Sequence, residues 1–193
     1  MDLLFSKIEK PFYSHQSLPN LEVELRLGKK NGNMFDTNIG EQKFMAIKNA
    51  MDNFKGWEQV KQSSTSSYFS NGKRCDYNDE TEESSTIVKK KVVKIDHVLN
   101  NEPLDIRFAI SQEIPTDEFD DSAEYMRQKN RISYIRKNLS IDLTKVTGDC
   151  EDMDDESEDK YEVEMEIIDP KKVTSKKELY NIIYKIQCIL KTL

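Results

Sequence analysis

Leu21-Glu22-Val23-Glu24-Leu25-Arg26-Leu27 alternates without a break, four leucines and valines on one side and Glu22, Glu24 and Arg26 on the other. Successive side chains of a strand point to opposite faces, so the stretch predicts a β-strand with one apolar and one charged face. Tyr161-Glu162-Val163-Glu164-Met165-Glu166-Ile167 repeats the pattern, with three carboxylates on its polar side. In residues 105–113, Ile106, Phe108 and Ile110 oppose Arg107, Ser111 and Glu113. In residues 127–134, Arg127, Lys129 and Arg131 oppose Ile132 and Tyr134, and in 141–145 the polar side holds Asp142 and Thr144.

An antiparallel sheet with one face in water gives the same alternation. Three features point instead to a polar interior. The polar faces are sorted by sign, whereas a solvated face mixes signs because like charges on adjacent positions repel. Arginine dominates the cationic face, and its planar fork suits phosphate oxygens. About eight strands are enough to close a barrel. The expected fold is therefore α+β: a closed antiparallel eight-stranded β-barrel with a polar lumen, flanked by helices.

The rest of the chain fits that plan. Strands are expected at 21–28, 57–63, 66–69, 73–77, 87–95, 104–114, 125–135, 139–146 and 161–168, with Asn71-Gly72 as a hairpin turn. Phe44, Ile47, Met51 and Phe54 mark a helix over 41–55. A second helix begins near Thr174, where Ser175 and Glu178 can form a capping box, and runs to the end of the chain. The 193 residues read as one domain, with no repeat and no apolar run long enough for a membrane span.

Net charge is −7, but eight of the eleven residues at 149–159 are acidic, and without them the chain carries +1. That run reads as a solvated loop and lacks the spacing of a calcium-binding loop. Cys75, Cys150 and Cys188 have neither zinc-ligand spacing nor an even number, and His15 and His97 stand alone. An intracellular, reducing compartment is expected, which for a viral protein means virion or host cytoplasm.

Clustered glutamates on neighbouring strands repel, and their pKa values rise unless a cation neutralises them. A hard divalent ion, Mg²⁺ or Mn²⁺, is the expected remedy. Such an ion beside a group of Arg and Lys describes a site for a polyphosphate.

At this point the motifs resemble a known family. Glu22-Val23-Glu24 and Glu162-Val163-Glu164-Met165-Glu166 resemble the paired signatures of triphosphate tunnel metalloenzymes. Residues 127–134 and 141–146, with Asp105-Ile106-Arg107 and Glu113, resemble the fungal and viral RNA 5′-triphosphatases of mRNA capping, above all the triphosphatase module of a giant-virus (mimivirus-type) capping enzyme. The resemblance runs from about residue 21 to 168. It implies Glu22, Glu24 and Glu166 as metal ligands, and Arg107, Arg127, Lys129, Arg131 and Lys90 as phosphate contacts. It implies Glu164 and Glu113 as the residues that orient the attacking water, with Glu162 and Asp142 supporting the tunnel. The thiamine-triphosphatase and adenylate-cyclase branch usually carries lysine where Arg26 stands, which favours the capping branch. The implied partner is a triphosphate RNA 5′ end, with guanylyltransferase and methyltransferase modules following in a longer capping enzyme. A tunnel enzyme acting on free nucleotides, polyphosphate or thiamine triphosphate, and a non-catalytic RNA-binding module, are the competing readings.

Overall fold

The computed structural model describes residues 1–119, 123–148 and 159–193. Its elements are α1 (Asp2–His15), β1 (Leu21–Asn31), β2 (Met34–Asp36), α2 (Glu41–Asn53), β3 (Gln59–Ser70), β4 (Lys73–Asn78), β5 (Ser84–His97), β6 (Asp105–Pro115), β7 (Tyr125–Arg136), β8 (Leu139–Thr147), β9 (Lys160–Ile167) and α3 (Lys176–Leu190). Except for Asp159, the acidic run at 149–159 lies outside the described residues.

The strands follow one another as β1-β6-β5-β4-β3-β7-β8-β9, and β9 returns to pair with β1. Every pairing is antiparallel, and the closing contact is Glu24↔Glu166, Leu25↔Met165, Arg26↔Glu164. The expected eight-stranded barrel is thus present. The short β2 stands outside it, pairing only with the end of β1. Gly28 permits that return, because a Cβ there would lie 2.2 Å from the Asp36 carbonyl oxygen.

Closure turns the usual arrangement inside out. The apolar faces of β9, β1 and β6 point outward and are buried: Val163, Met165, Val23, Leu25, Ile106, Phe108 and Ile110 belong to one core. The helices cover that core with Leu4, Ile8 and Phe12 from α1, Phe44, Ile47 and Met51 from α2, and Leu179, Ile183 and Ile186 from α3. Each such aliphatic or aromatic side chain contributes roughly 1.5–3 kcal/mol when fully buried. The polar faces remain inside.

The α3 capping box forms as expected: Glu178 N–H donates to Ser175 Oγ at 3.2 Å, and Ser175 N–H donates to Glu178 Oε2 at 3.2 Å. Asn71 (φ 48°) and Gly72 (φ 74°) make the expected tight turn, both in the left-handed conformation it needs. Three expectations change. The strands expected at 57–63 and 66–69 are one strand, β3, paired with β7 from Gln59↔Ile135 to Phe69↔Tyr125. The serines in its middle are ladder residues and not a turn. Helix α3 stops at Leu190, short of the last residue. Helix α1 was not expected at all, because Pro11 interrupts it and no side chain caps it. The four-residue spacing of Leu4, Ile8 and Phe12, all fully buried, sustains it by tertiary contact.

Candidate functional site: the barrel lumen

The lumen is a cavity of about 820 Å³ with a largely charged lining. Strand parity sets its composition. Glu22, Glu24 and Arg26 enter from β1, Arg107, Ser111 and Glu113 from β6, Arg74 and Asp76 from β4, Arg127, Lys129 and Arg131 from β7, and Glu162, Glu164 and Glu166 from β9. Asp142 and Thr144 of β8 pair with Glu164 and Glu162 on the same side. Twelve of the thirteen residues proposed from sequence are thereby brought together.

Lys90 is the exception. It pairs with Gln112 and is exposed on the outer face, whereas Lys89 pairs with Glu113 and faces inward. The run of three lysines hides the parity of β5, which a bulge then reverses: Lys91 pairs with Ser111, Val92 is skipped, and Val93 pairs with Ile110. Lys91 and Lys94 therefore both line the lumen. Lys89, Lys91, Lys94, Arg74 and Asp76 are charged interior residues the sequence reading missed. For the last two the signal was available, since the Asn71-Gly72 turn fixes which residues of β4 face Ser67 and Phe69.

A web of ion pairs holds the interior. Arg26 stands 2.9 Å (Nε) from Glu164 and donates from Nη2 to Glu24 at 3.0 Å. Arg131 donates to Thr144 Oγ1 at 3.0 Å and to Glu164 at 3.2 Å, and reaches Asp142 at 3.5 Å. Lys89 contacts Glu22, which also accepts from Ser111 Oγ at 2.7 Å. Glu113 accepts from Arg74 at 3.1 Å. Arg107 is clamped by both oxygens of Asp96, at 2.7 and 3.1 Å, and lies 4.5 Å from the centre of the Phe35 ring. Asp142 accepts from Ser140 and Glu162 from Thr37, both at 2.6 Å.

Two half-buried charges are left over. Among the described residues, no side chain forms a hydrogen bond or ion pair with Glu166, and none with Lys129. Burial, together with Asp142 and Glu22, pushes Glu166 up to about 7. Burial also raises Glu24, and with Glu164 and Glu22 beside it the net effect is a rise to about 7 despite Arg26. Glu164 is buried too, but Arg26 and Arg131 hold it down to about 2. Burial and the neighbouring Arg74 bring Lys129 down to about 8.

Among the described residues no ready-made cage of three metal-ligating side chains exists, because Lys89 occupies Glu22 and Arg26 occupies Glu24. The donor set nonetheless fits a hard cation: all oxygens, with Glu24 and Glu166 directly opposite one another and short of neutralising charge. Among the described residues, Glu166 thus has no paired cation and Lys129 no paired anion. A metal-bound polyphosphate would supply both.

The comparisons with known proteins agree with this geometry. The family model described as "mRNA capping enzyme, beta chain" matches residues 59–182. The mRNA-capping enzyme subunit beta of Yarrowia lipolytica is 39% identical over 62 residues, which is 32% of this chain and only 16% of that protein. The S. pombe Pct1 RNA triphosphatase superposes with a TM-score of 0.82 at 16% identity, covering 97% of this chain and 93% of that one. Pct1 is also known in complex with the Spt5 CTD. The Mimivirus capping enzyme triphosphatase superposes with a TM-score of 0.69 at 16% identity, covering 99% and 98%. With its tunnel fold and more than half of its length matched, the chain belongs to the family of the mRNA capping enzyme beta chain.

Proposed function

We propose that this protein is a divalent-metal-dependent RNA 5′-triphosphatase, a hydrolase that removes the γ-phosphate from triphosphate-ended RNA in the first step of mRNA capping. The observation that carries the reading is the pair of leftover charges, Glu166 and Lys129, in one enclosed lumen. Glu22, Glu24 and Glu166 would hold Mg²⁺ or Mn²⁺, which supplies charge neutralisation at the γ-phosphate when bound. Lys129, Arg131, Arg127 and Lys89 grip phosphate oxygens. Arg107, clamped by Asp96, borders the path as a fixed positive charge. Glu164, kept ionised by Arg26 and Arg131, or Glu113 accepts a hydrogen bond from the attacking water. Asp142 and Glu162 keep the cationic side chains and the wall in place. Positioning and charge stabilisation suffice for phosphoryl transfer, so no covalent intermediate is required. The products are diphosphate-ended RNA, the acceptor class for guanylyl transfer, and phosphate. We also place the protein in a reducing compartment, a reading supported by the free Cys75 and Cys188.

The test is phosphate release from γ-labelled triphosphate RNA with and without Mg²⁺ or Mn²⁺, beside the same assay on ATP. Metal-dependent release from RNA that falls roughly 10²–10³-fold in Glu166→Gln is expected. Near-normal release by that variant would sink the assignment. Turnover of ATP in preference to RNA would move the protein to a small-molecule substrate.

A further inference from the structure

The two mouths of the tunnel are lined differently. Along the lumenal face of β7 the order is Tyr125, Arg127, Lys129, Arg131, Ser133, and along its neighbour β3 it is Phe69, Ser67, Thr65, Ser63, Lys61. Both strands carry an aromatic residue at one end, and at the other Ser133 pairs with the exposed Lys61. The register carries this asymmetry around the wall: Ser85 of β5 pairs with Asp76, and Asp76 pairs with Ser67. The Lys61 end of β3 and the serine end of β5 thus share one mouth, and Lys91 and Lys94 lie towards the aromatic one.

At that aromatic mouth Phe69 and Tyr125 stack with centroids 4.5 Å apart and planes 9° from parallel. The Arg127 guanidinium lies 5.5 and 5.6 Å from the two ring centres. Both rings are half-buried, whereas Lys91 and Lys94 are exposed with no ion-pair partner among the described residues. The opposite opening carries Asn78, Glu83, Ser84 and Ser85 on one side, and Lys61 beside Ser133 on another.

We infer that triphosphate-ended RNA enters through the Phe69–Tyr125 mouth, with the base of its first nucleotide on this ring pair and its backbone drawn towards Lys91 and Lys94. The inference rests on the RNA triphosphatase reading and adds direction and a base contact to it. Lys91 and Lys94, exposed and without ion-pair partners among the described residues, offer positive charge to the phosphates of the backbone. Any base offers a π-face, so stacking gives preference for a nucleotide without preference for a sequence. Phe69 and Tyr125 are then the residues that separate RNA from a bare polyphosphate tail.

The experiment uses triphosphate RNA whose first nucleotide is 2-aminopurine, with the wild type and the double variant Phe69→Leu/Tyr125→Leu. Without metal, so that no turnover occurs, the wild type should quench the fluorophore and the variant should not. With metal, the variant should raise KM for triphosphate RNA at least fivefold more than KM for tripolyphosphate, within the roughly 5- to 150-fold range of one lost base stack. Ser84→Glu at the opposite mouth should leave that ratio alone. Absence of quenching in the wild type, an equal change for both substrates, or a selective RNA effect of Ser84→Glu would overturn the inference. Hydrolysis of triphosphate RNA by the wild type with no such selectivity would reject the entrance alone. No hydrolysis of RNA under any metal would reject the enzymatic reading, whatever the fluorophore reports.

Discussion

The wall formed by β9, β1 and β6 and the wall formed by β4, β3 and β7 face each other across the same lumen but are built differently. The first carries most of the carboxylates inside, including Glu24, Glu164 and Glu166, and is backed by helices. Its outward residues Val23, Leu25, Phe108, Ile110, Val163 and Met165 are at most 1% exposed. The second carries cations inside, Arg74, Arg127, Lys129 and Arg131, and meets water outside, where Val60 is 51% and Met126 41% exposed. Grouping like-charged carboxylates without a cation is destabilising, and it occurs where the hydrophobic core can offset it. The cationic wall has less to offset, because Arg74 and Arg131 reach neighbouring acids.

This contrast can be attacked directly. The largest expected effect is on the interior of the backed wall. Glu24→Ala should abolish metal-dependent phosphate release, like Glu166→Gln, while circular dichroism shows the fold retained. An active Glu24→Ala protein would remove the carboxylate wall from the chemistry. Next is the support behind it. Leu25→Ala should destabilise by about 2–5 kcal/mol in denaturant unfolding, against less than about 1 kcal/mol for Val60→Ala on the open wall. Equal costs would mean the two walls are equally supported.

The smallest effect is the pH dependence. Glu24 and Glu166 sit at about 7 in the fold against an ordinary value of 4.5. The fold therefore favours their protonated forms, and that stabilisation is complete below pH 4.5 and lost as pH rises through about 7. Glu164, held down to about 2, acts oppositely: its contribution is present above 4.5 and lost as pH falls towards 2. The metal-free melting temperature should accordingly decline between pH 4.5 and 7, and Mg²⁺ or Mn²⁺ should recover several degrees above pH 7. A shift of about 1 kcal/mol corresponds to roughly 2–4 °C in a chain of this size. Metal rescue of equal size in Glu166→Gln would show that the ion binds elsewhere.

The same contrast explains what could be read from the sequence. Strands β1, β6 and β9 were legible because one face is apolar and the other charged, so period-two alternation is unmistakable. Strand β3 carries serine and threonine on both faces, so its pattern vanished and one strand was read as two. The carboxylates were legible as a group, but their partners were not. Arg26 and Arg131 meet at Glu164 only because β9 closes on β1, a contact between residues distant in sequence. Helix α1 was concealed by local chemistry, Pro11 and a missing cap, that tertiary burial overrides.

The skipped Val92 works like a frameshift in the wall. Before it, odd-numbered residues of β5 face the lumen, and after it even-numbered ones do, so Lys91, Lys94 and Asp96 all look inward. Were Val92 an ordinary rung opposite Ile110, a single frame would continue and point Lys94 and Asp96 at the apolar shell outside. Arg107 and Lys30 both depend on Asp96, and they would lose their shared counter-ion together. One extra aliphatic residue, touching no charge itself, thus sets the electrostatics of an entire mouth of the tunnel.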